Sequence, residues 1–157
     1  MKTIVPSLAA GALLALLATL PAAAADPALV GTWQLNTAKS HFSAGELPAK
    51  LVLTIEADGS DGVRYRSANV VAGKPGGATW TAHFDGKQYP VTGTNDYDAV
   101  TLQKIDSHIF HLQMRKNGEL VVDLTYTVAA DGKSLTRKGE SHKAGHENHF
   151  DEWFDRQ

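Results

Sequence analysis

The sequence has 157 residues, no cysteine and a formal net charge of −2 at pH 7. The lack of cysteine excludes disulfide frameworks, thiol catalysis and cysteine-based zinc sites. Lysines and arginines are scattered along the chain, so the clustered basic face of a nucleic-acid-binding protein is missing and no nucleic-acid partner is predicted.

The N-terminal segment has the features of a secretory signal peptide. Lys2 provides a positive start, residues 4–20 are almost wholly apolar, and four alanines follow at 22–25. Small residues suit a signal peptidase, and the apolar run is too short to cross a bilayer comfortably, which takes about 20 apolar residues. We therefore expect residues 1–25 to be removed and residues 26–157 to form a single periplasmic or secreted domain. No segment of that mature chain is apolar enough to span a membrane.

Short strands and tight turns are predicted along the mature chain. Five pairs of asparagine or aspartate followed by glycine supply the positive φ angles of hairpin turns: Asp58-Gly59, Asp61-Gly62, Asp85-Gly86, Asn117-Gly118 and Asp131-Gly132. The runs between them are rich in valine, threonine and aromatic residues, as strands prefer. The predicted strands are 31–35, 50–57, 62–71, 77–84, 87–93, 98–105, 108–116, 119–129, 133–141 and 147–155.

These elements predict an all-β fold. Segments 50–57 and 119–129 place apolar residues at every second position, and therefore on one face of a strand. Apart from one helix-like turn at 36–40, no helical periodicity follows the signal peptide, and 73–77 is predicted to be a flexible loop. Ten short strands with short connections favour an up-and-down antiparallel barrel of about ten strands, because closure leaves no exposed sheet edge.

Four sequence blocks carry a resemblance to a known family. Gly31-Thr32-Trp33 is similar to the Gly-x-Trp motif that opens the calycins, which comprise the lipocalins and the fatty-acid-binding proteins. Taken together, the blocks resemble small exported bacterial lipocalin-like proteins, mostly of unassigned function. The resemblance implies a lipocalin-like barrel for nearly all of 26–157. The blocks are 31–36, 39–42, 85–93 and 131–136.

The resemblance also implies roles for individual residues. In lipocalins the motif tryptophan closes one barrel end, and an arginine after the last strand stacks on it as a cation–π pair. Trp33 and Arg156 stand at the matching positions; the alternative is an exposed terminal arginine. Fatty-acid-binding proteins hold a carboxylate with an Arg-x-Tyr pair, but this chain has Arg137 followed by Lys138 and Gly139. Fatty-acid binding of the cytosolic type is therefore not implied.

The last predicted hairpin contains histidines and carboxylates, which are side chains that bind zinc or a similar metal. His149 and Asp151 are two apart on a strand, hence on one face, and His142 lies across the hairpin. His142 and His146 are four residues apart, but they lie on a predicted hairpin and not on a helix, and no His-x-His pair occurs there. We therefore favour a solvated polar hairpin and predict no metal or other cofactor. If a metal binds, its expected ligands are His142, His149 and Asp151.

The residues expected to bind a ligand belong to the apolar, inward-facing sets of their strands. Aromatic and aliphatic walls around a space suit a mainly apolar small molecule. The alternative is that these side chains fill a dry core, as they do in many small barrels. The predicted ligand-binding residues are Leu53, Ile55, Trp80, Phe84, Leu124 and Tyr126.

The sequence thus favours an exported, non-enzymatic protein that binds a small apolar ligand inside a calycin-like barrel. Two alternatives stay open: an envelope interaction protein with a filled barrel, and a metal-binding protein that uses the C-terminal histidine-rich hairpin. Catalysis is less favoured, because no Gly-x-Ser-x-Gly elbow occurs and the carboxylates Asp96 and Asp98 lie in a predicted turn.

Overall fold

The computed structural model describes residues 27–45, 47–143 and 146–157, with only the backbone described at Lys143 and His146. These residues form an all-β, antiparallel fold. The predicted signal peptide, residues 1–25, lies outside the described residues. In the described parts of the chain, no helix is long and apolar enough to cross a membrane.

The described residues contain twelve strands, which form one sheet. They are β1 (Gly31–Leu35), β2 (His41–Phe42), β3 (Lys50–Ala57), β4 (Gly62–Val71), β5 (Lys74–Gly76), β6 (Thr79–His83), β7 (Asp85–Thr92), β8 (Ala99–Lys104), β9 (Ile109–Lys116), β10 (Glu119–Val128), β11 (Ser134–Lys143) and β12 (His146–Arg156). Ten of them follow one another around an up-and-down barrel, which closes where β1 pairs with β12. The short β2 and β5 lie outside this circuit and pair with β12 and β4.

The prediction of a ten-stranded up-and-down barrel is confirmed. Each predicted strand corresponds to one barrel strand, and the bounds agree to within two residues. The prediction of a loop at 73–77 was wrong in part, because β5 pairs there with β4, placing Gly76 opposite Asn69. The expected turn at 36–40 is present, and its Lys39 N–H donates to Oδ1 of Asn36 at 3.2 Å.

Tight turns join most strands where the sequence predicts them. Asn117 and Gly118 have φ angles of 52° and 86° and connect β9 to β10 as a two-residue hairpin turn. The expectation of a positive φ at Gly62 was wrong. A Cβ atom there would lie 2.7 Å from Nδ1 of His83 and 3.0 Å from the carbonyl oxygen of Ala82. Glycine therefore allows β4 and β6 to approach closely at this point.

The two ends of the barrel are filled differently. The closed end carries the β3–β4, β6–β7 and β8–β9 turns, and its interior is packed with side chains that are buried from solvent. The open end is the opposite one and carries the β4–β5 hairpin and the β7–β8 loop. The side chains that fill the closed end are Leu29, Trp33, Ile55, Val63, Ala82, Leu102, Phe110, Val128, Leu135 and Phe154.

Trp33 plugs the closed end, as the lipocalin resemblance implies. Its side chain is fully buried, and its Nε1–H donates to the Leu29 carbonyl oxygen at 3.0 Å. The Arg156 guanidinium lies 4.5 Å from the centre of the Trp33 ring. Arg156 also donates through Nη2 to the Val30 carbonyl oxygen at 2.7 Å. The expected stacking is confirmed, and the Arg156 side chain is at the same time exposed to solvent.

Candidate functional site

A cavity of about 750 Å³ occupies the open half of the barrel. Small-molecule sites in proteins typically measure roughly 300–1,000 Å³. Most of its wall is apolar and consists of Phe42, Pro48, Leu51, Val71, Met114, Val122, Leu124 and Phe150. Polar side chains stand nearer the mouth, among them Asn69, Lys74, Asp96, Ser141 and Asn148. This cavity is the candidate ligand site, and we call it the barrel cavity.

A second, more polar cleft of about 460 Å³ adjoins the barrel cavity at the open end. It lies between the β4–β5 hairpin and the segment 93–97. Because β6 begins only at Thr79, the end of β4 pairs with β5 instead of β6. Tyr97 lines both the cleft and the barrel cavity, so its side chain stands at their boundary.

The floor of the barrel cavity is polar and is set by strand register. Tyr126 on β10 lies directly opposite Arg137 on β11, which lies opposite Glu152 on β12. The Arg137 Nε–H group donates to Oε2 of Glu152 and forms an ion pair with it. Both charged residues line the cavity, although Glu152 is only 1 % exposed. Tyr126 is fully buried behind them. One row of three neighbouring strands therefore carries a buried charge pair and a phenol.

Tyr65 reaches the same floor from β4. Its ring stacks on Trp80, with 4.5 Å between the ring centres and an angle of 8° between the planes. Such a stacked pair adds about 0.5–1.5 kcal/mol beyond the burial of its area. The Tyr65 ring is thus held by packing, and its hydroxyl group lies near Arg137 and Glu152.

Burial controls the ionisation of the floor residues. It raises the pKa of Tyr65, raises the pKa of Tyr97, and raises the pKa of Tyr126 well above its ordinary value. Burial alone would lower the pKa of the Arg137 guanidinium, but the Glu152 charge and the neighbouring phenols raise that pKa well above its usual range. At neutral pH the floor therefore contains neutral phenols around a charged guanidinium.

The Tyr126 hydroxyl is a buried polar atom next to Arg137 and Tyr65. Arg137 and Tyr65 both lie within hydrogen-bonding reach of it and act on its ionisation. A buried hydroxyl left unsatisfied costs about 1–3 kcal/mol.

The six predicted ligand-binding residues all lie in or against the hydrophobic core. Leu53, Ile55, Trp80, Leu124 and Tyr126 are at most 3 % exposed, and the partly buried Phe84 packs on Phe110 with 5.4 Å between ring centres. Leu124 lines the barrel cavity, whereas the other five lie below or beside it. Their role in binding stays a prediction, and the structure moves the candidate site toward the open end.

Arg137 and Glu152 are the floor residues that sequence reasoning missed. A signal for them exists in the alternation of the last two strands. Glu152 stands two positions from both Phe150 and Phe154, which places the three side chains on one face. Arg137 likewise shares the face of Leu135, which is fully buried. A charged residue that stands two positions from buried apolar residues on the same strand shares their inward face.

The predicted metal ligands lie on the outer face of the last hairpin. His142 and His149 both approach Glu140, at 3.3 Å and 3.7 Å, whereas Asp151 forms an ion pair with Lys138 at 2.7 Å. Among the side chains that the structure describes, which exclude that of His146, no group of three histidines or carboxylates is arranged to hold a metal ion. The structure therefore pairs Asp151 elsewhere instead of bringing the three predicted ligands together.

Comparison with known proteins supports the fold. No protein-family model matches the sequence, and no curated protein is significantly similar to it. Among solved structures, the crystal structure of Rv2717c from M. tuberculosis is similar, with a TM-score of 0.53 and 16 % sequence identity over 83 % of this chain and 93 % of that chain. At this identity the likeness concerns the fold alone. The comparison thus supports the barrel fold and leaves the lipocalin-like resemblance as one of fold.

Proposed function

We propose that this protein is a binding protein that holds a small molecule, apolar over most of its length, in the barrel cavity. The cavity itself carries the proposal, because its volume of about 750 Å³ and its mostly apolar wall match those of small-molecule sites. An envelope interaction protein with a filled barrel is less favoured. Its interior would be filled at both ends, whereas here a cavity of about 750 Å³ occupies the open half.

Export is part of the proposal. Its support is the sequence of residues 1–25, with a basic start, an apolar centre and small residues at the end. N-terminal sequencing of protein from the periplasm or the medium should find Asp26, or a residue within a few positions of it, as the first residue. Recovery of membrane-associated protein that still begins with Met1 would contradict export by signal cleavage.

Two measurements test binding. Mass spectrometry of the natively purified mature protein should identify a co-purifying small molecule with a long apolar part. After its removal, an apolar fluorescent probe should bind with roughly micromolar affinity, about −8 kcal/mol. Released molecules should displace the probe in a one-to-one ratio. A protein that carries no molecule and binds no apolar probe would refute the proposal and favour the interaction protein.

A further inference from the structure

The charges of the barrel cavity determine which kind of polar group it accepts. The deepest charged residues that line it are Arg137 and Glu152, in one register row below Leu124 and Phe150. A lone arginine at the bottom of an apolar cavity would attract a ligand carboxylate, since its guanidinium matches a carboxylate with two parallel hydrogen bonds. Here the protein supplies that carboxylate itself.

Glu152 is held in this role by its surroundings. It lies directly opposite Arg137, and only 2 % of its side chain is exposed. Alternation along β12 places Phe150 and Phe154 on either side of it on the same inward face. The Arg137 side chain also packs over these two rings, with the guanidinium 5.9 Å and 5.6 Å from their centres. Glu152 is therefore held beside the guanidinium on the floor of the cavity.

An anionic ligand would meet an unfavourable charge at this floor. Its carboxylate or phosphate would lie beside Glu152, and like charges placed together in a poorly solvated site repel strongly. The charges nearer the mouth, Lys74 and Asp96, are of opposite sign and provide no net attraction for an anion.

An uncharged oxygen fits the same floor. The ion pair uses the Nε–H group of Arg137, and a guanidinium carries four further N–H donors. About 14 % of the Arg137 side chain is exposed, and this residue lines the cavity. The inward position nearer the mouth on β11 is Gly139, so no side chain of that strand covers the guanidinium. The hydroxyl of Tyr65 adds a neutral donor and acceptor.

We propose that the barrel cavity selects an uncharged amphipathic molecule, an alcohol, ester or amide with an apolar tail, and that Glu152 is the residue that excludes anions. This inference rests on the proposed function. The ligand oxygen would accept hydrogen bonds from Arg137, and the tail would lie along the apolar wall toward the mouth.

The test uses a matched series of twelve-carbon compounds on the mature wild-type protein: dodecanol, methyl dodecanoate and dodecanoate. Each compound displaces the apolar fluorescent probe at about pH 8, where a free carboxylic acid is ionised. We expect dodecanol and the ester to bind at least about tenfold more tightly than dodecanoate, because only the acid is repelled by Glu152. Equal or tighter binding of dodecanoate would overturn this inference while leaving the proposed function intact. If the probe and all three compounds fail to bind, the proposed function fails as well.

Glu152→Gln tests the residue itself. The substitution keeps the shape and removes the negative charge, so dodecanoate should bind at least about tenfold more tightly than to the wild type, with dodecanol measured in parallel as the uncharged reference. Glu140→Gln is the matched control, because Glu140 lies on the same hairpin but its half-exposed side chain contacts His142 and His149 instead. An unchanged dodecanoate affinity in folded Glu152→Gln would contradict the role of Glu152. If that variant does not fold, the ranking of the three compounds on the wild type still decides the head-group preference.

Discussion

The different filling of the two barrel ends can be tested with one enlargement at each end. Ala82→Phe places a ring in the closed end, where Ala82 and its cross-strand neighbour Val63 are both fully buried. Val122→Phe places the same ring on the wall of the barrel cavity, where a volume of about 750 Å³ is available. The pair therefore compares the same aromatic side chain in a packed and an unpacked environment.

The expected effects on stability differ in size. Overpacking of a close-packed core typically costs about 1–3 kcal/mol, so Ala82→Phe should lower the free energy of unfolding by that amount. For a domain of this size the midpoint of thermal unfolding should fall by roughly 3–15 °C. Val122→Phe should change the free energy of unfolding by less than about 0.5 kcal/mol, because its ring enters open space. It should weaken probe binding at least about tenfold, since the ring occupies volume that the probe needs.

Thermal and chemical denaturation give the stabilities, and titration with the apolar fluorescent probe gives the affinities. Folded Ala82→Phe protein should bind the probe as the wild type does, because residue 82 does not line the cavity. Equal destabilisation by both substitutions would refute the reasoning, because it would show that the open end is packed as tightly as the closed end. Full probe affinity in Val122→Phe would place the binding site elsewhere.

Three further predictions concern the plug, the floor and one close backbone approach. Arg156→Ala should lower the free energy of unfolding by about 1–2 kcal/mol, since it removes the cation–π contact with Trp33 and the hydrogen bond to the Val30 carbonyl oxygen. Arg156→Lys should recover only part of this stability, and chemical denaturation of both variants measures the two effects. Burial raises the pKa of Tyr65 and Tyr126, so the folded protein keeps these phenol protons at a pH where the unfolded chain loses them. The free energy of unfolding should therefore fall as pH rises above about 10. If the phenolate absorbance of these two residues in the folded protein followed that of free tyrosine, the prediction would be contradicted. Gly139→Ala should destabilise the barrel by more than about 1 kcal/mol, because the new Cβ would lie 2.1 Å from the Asp123 carbonyl oxygen on β10. A variant as stable as the wild type in chemical denaturation would show that the two strands can move apart there without cost.

Most of the fold could be predicted from the sequence because its signals are local. Alternation along 50–57 and 119–129, and the Asn117-Gly118 turn, depend on residues that are neighbours in the chain. The sequence predicts a loop where the structure has β5, because Pro75 stands between Lys74 and Gly76. In the structure these three residues form a short strand against β4. A strand so short has no periodicity of its own to detect.

The candidate site was harder to predict because it depends on register between strands. Charged residues on strands are mostly exposed, so Arg137 and Glu152 would be assigned to the surface unless their buried neighbours are weighed. Their meeting requires that β11 and β12 pair with these two residues directly opposite. The position of the cavity depends in turn on which barrel end receives the larger side chains. The predicted site residues Ile55 and Phe84 consequently fell at the packed end.

The contact between Arg156 and the first strand also constrains how the chain can fold. Arg156 donates to the Val30 carbonyl oxygen across 126 residues of sequence, and β1 gains its second neighbour only when β12 arrives. Ring closure over such a separation has a large entropic cost, and folding dominated by distant contacts is slow. A chain that ends before β12 retains two unpaired edges, on β1 and on β11, and such edges associate readily with other chains. Forms of this protein that are truncated before β12 should therefore aggregate.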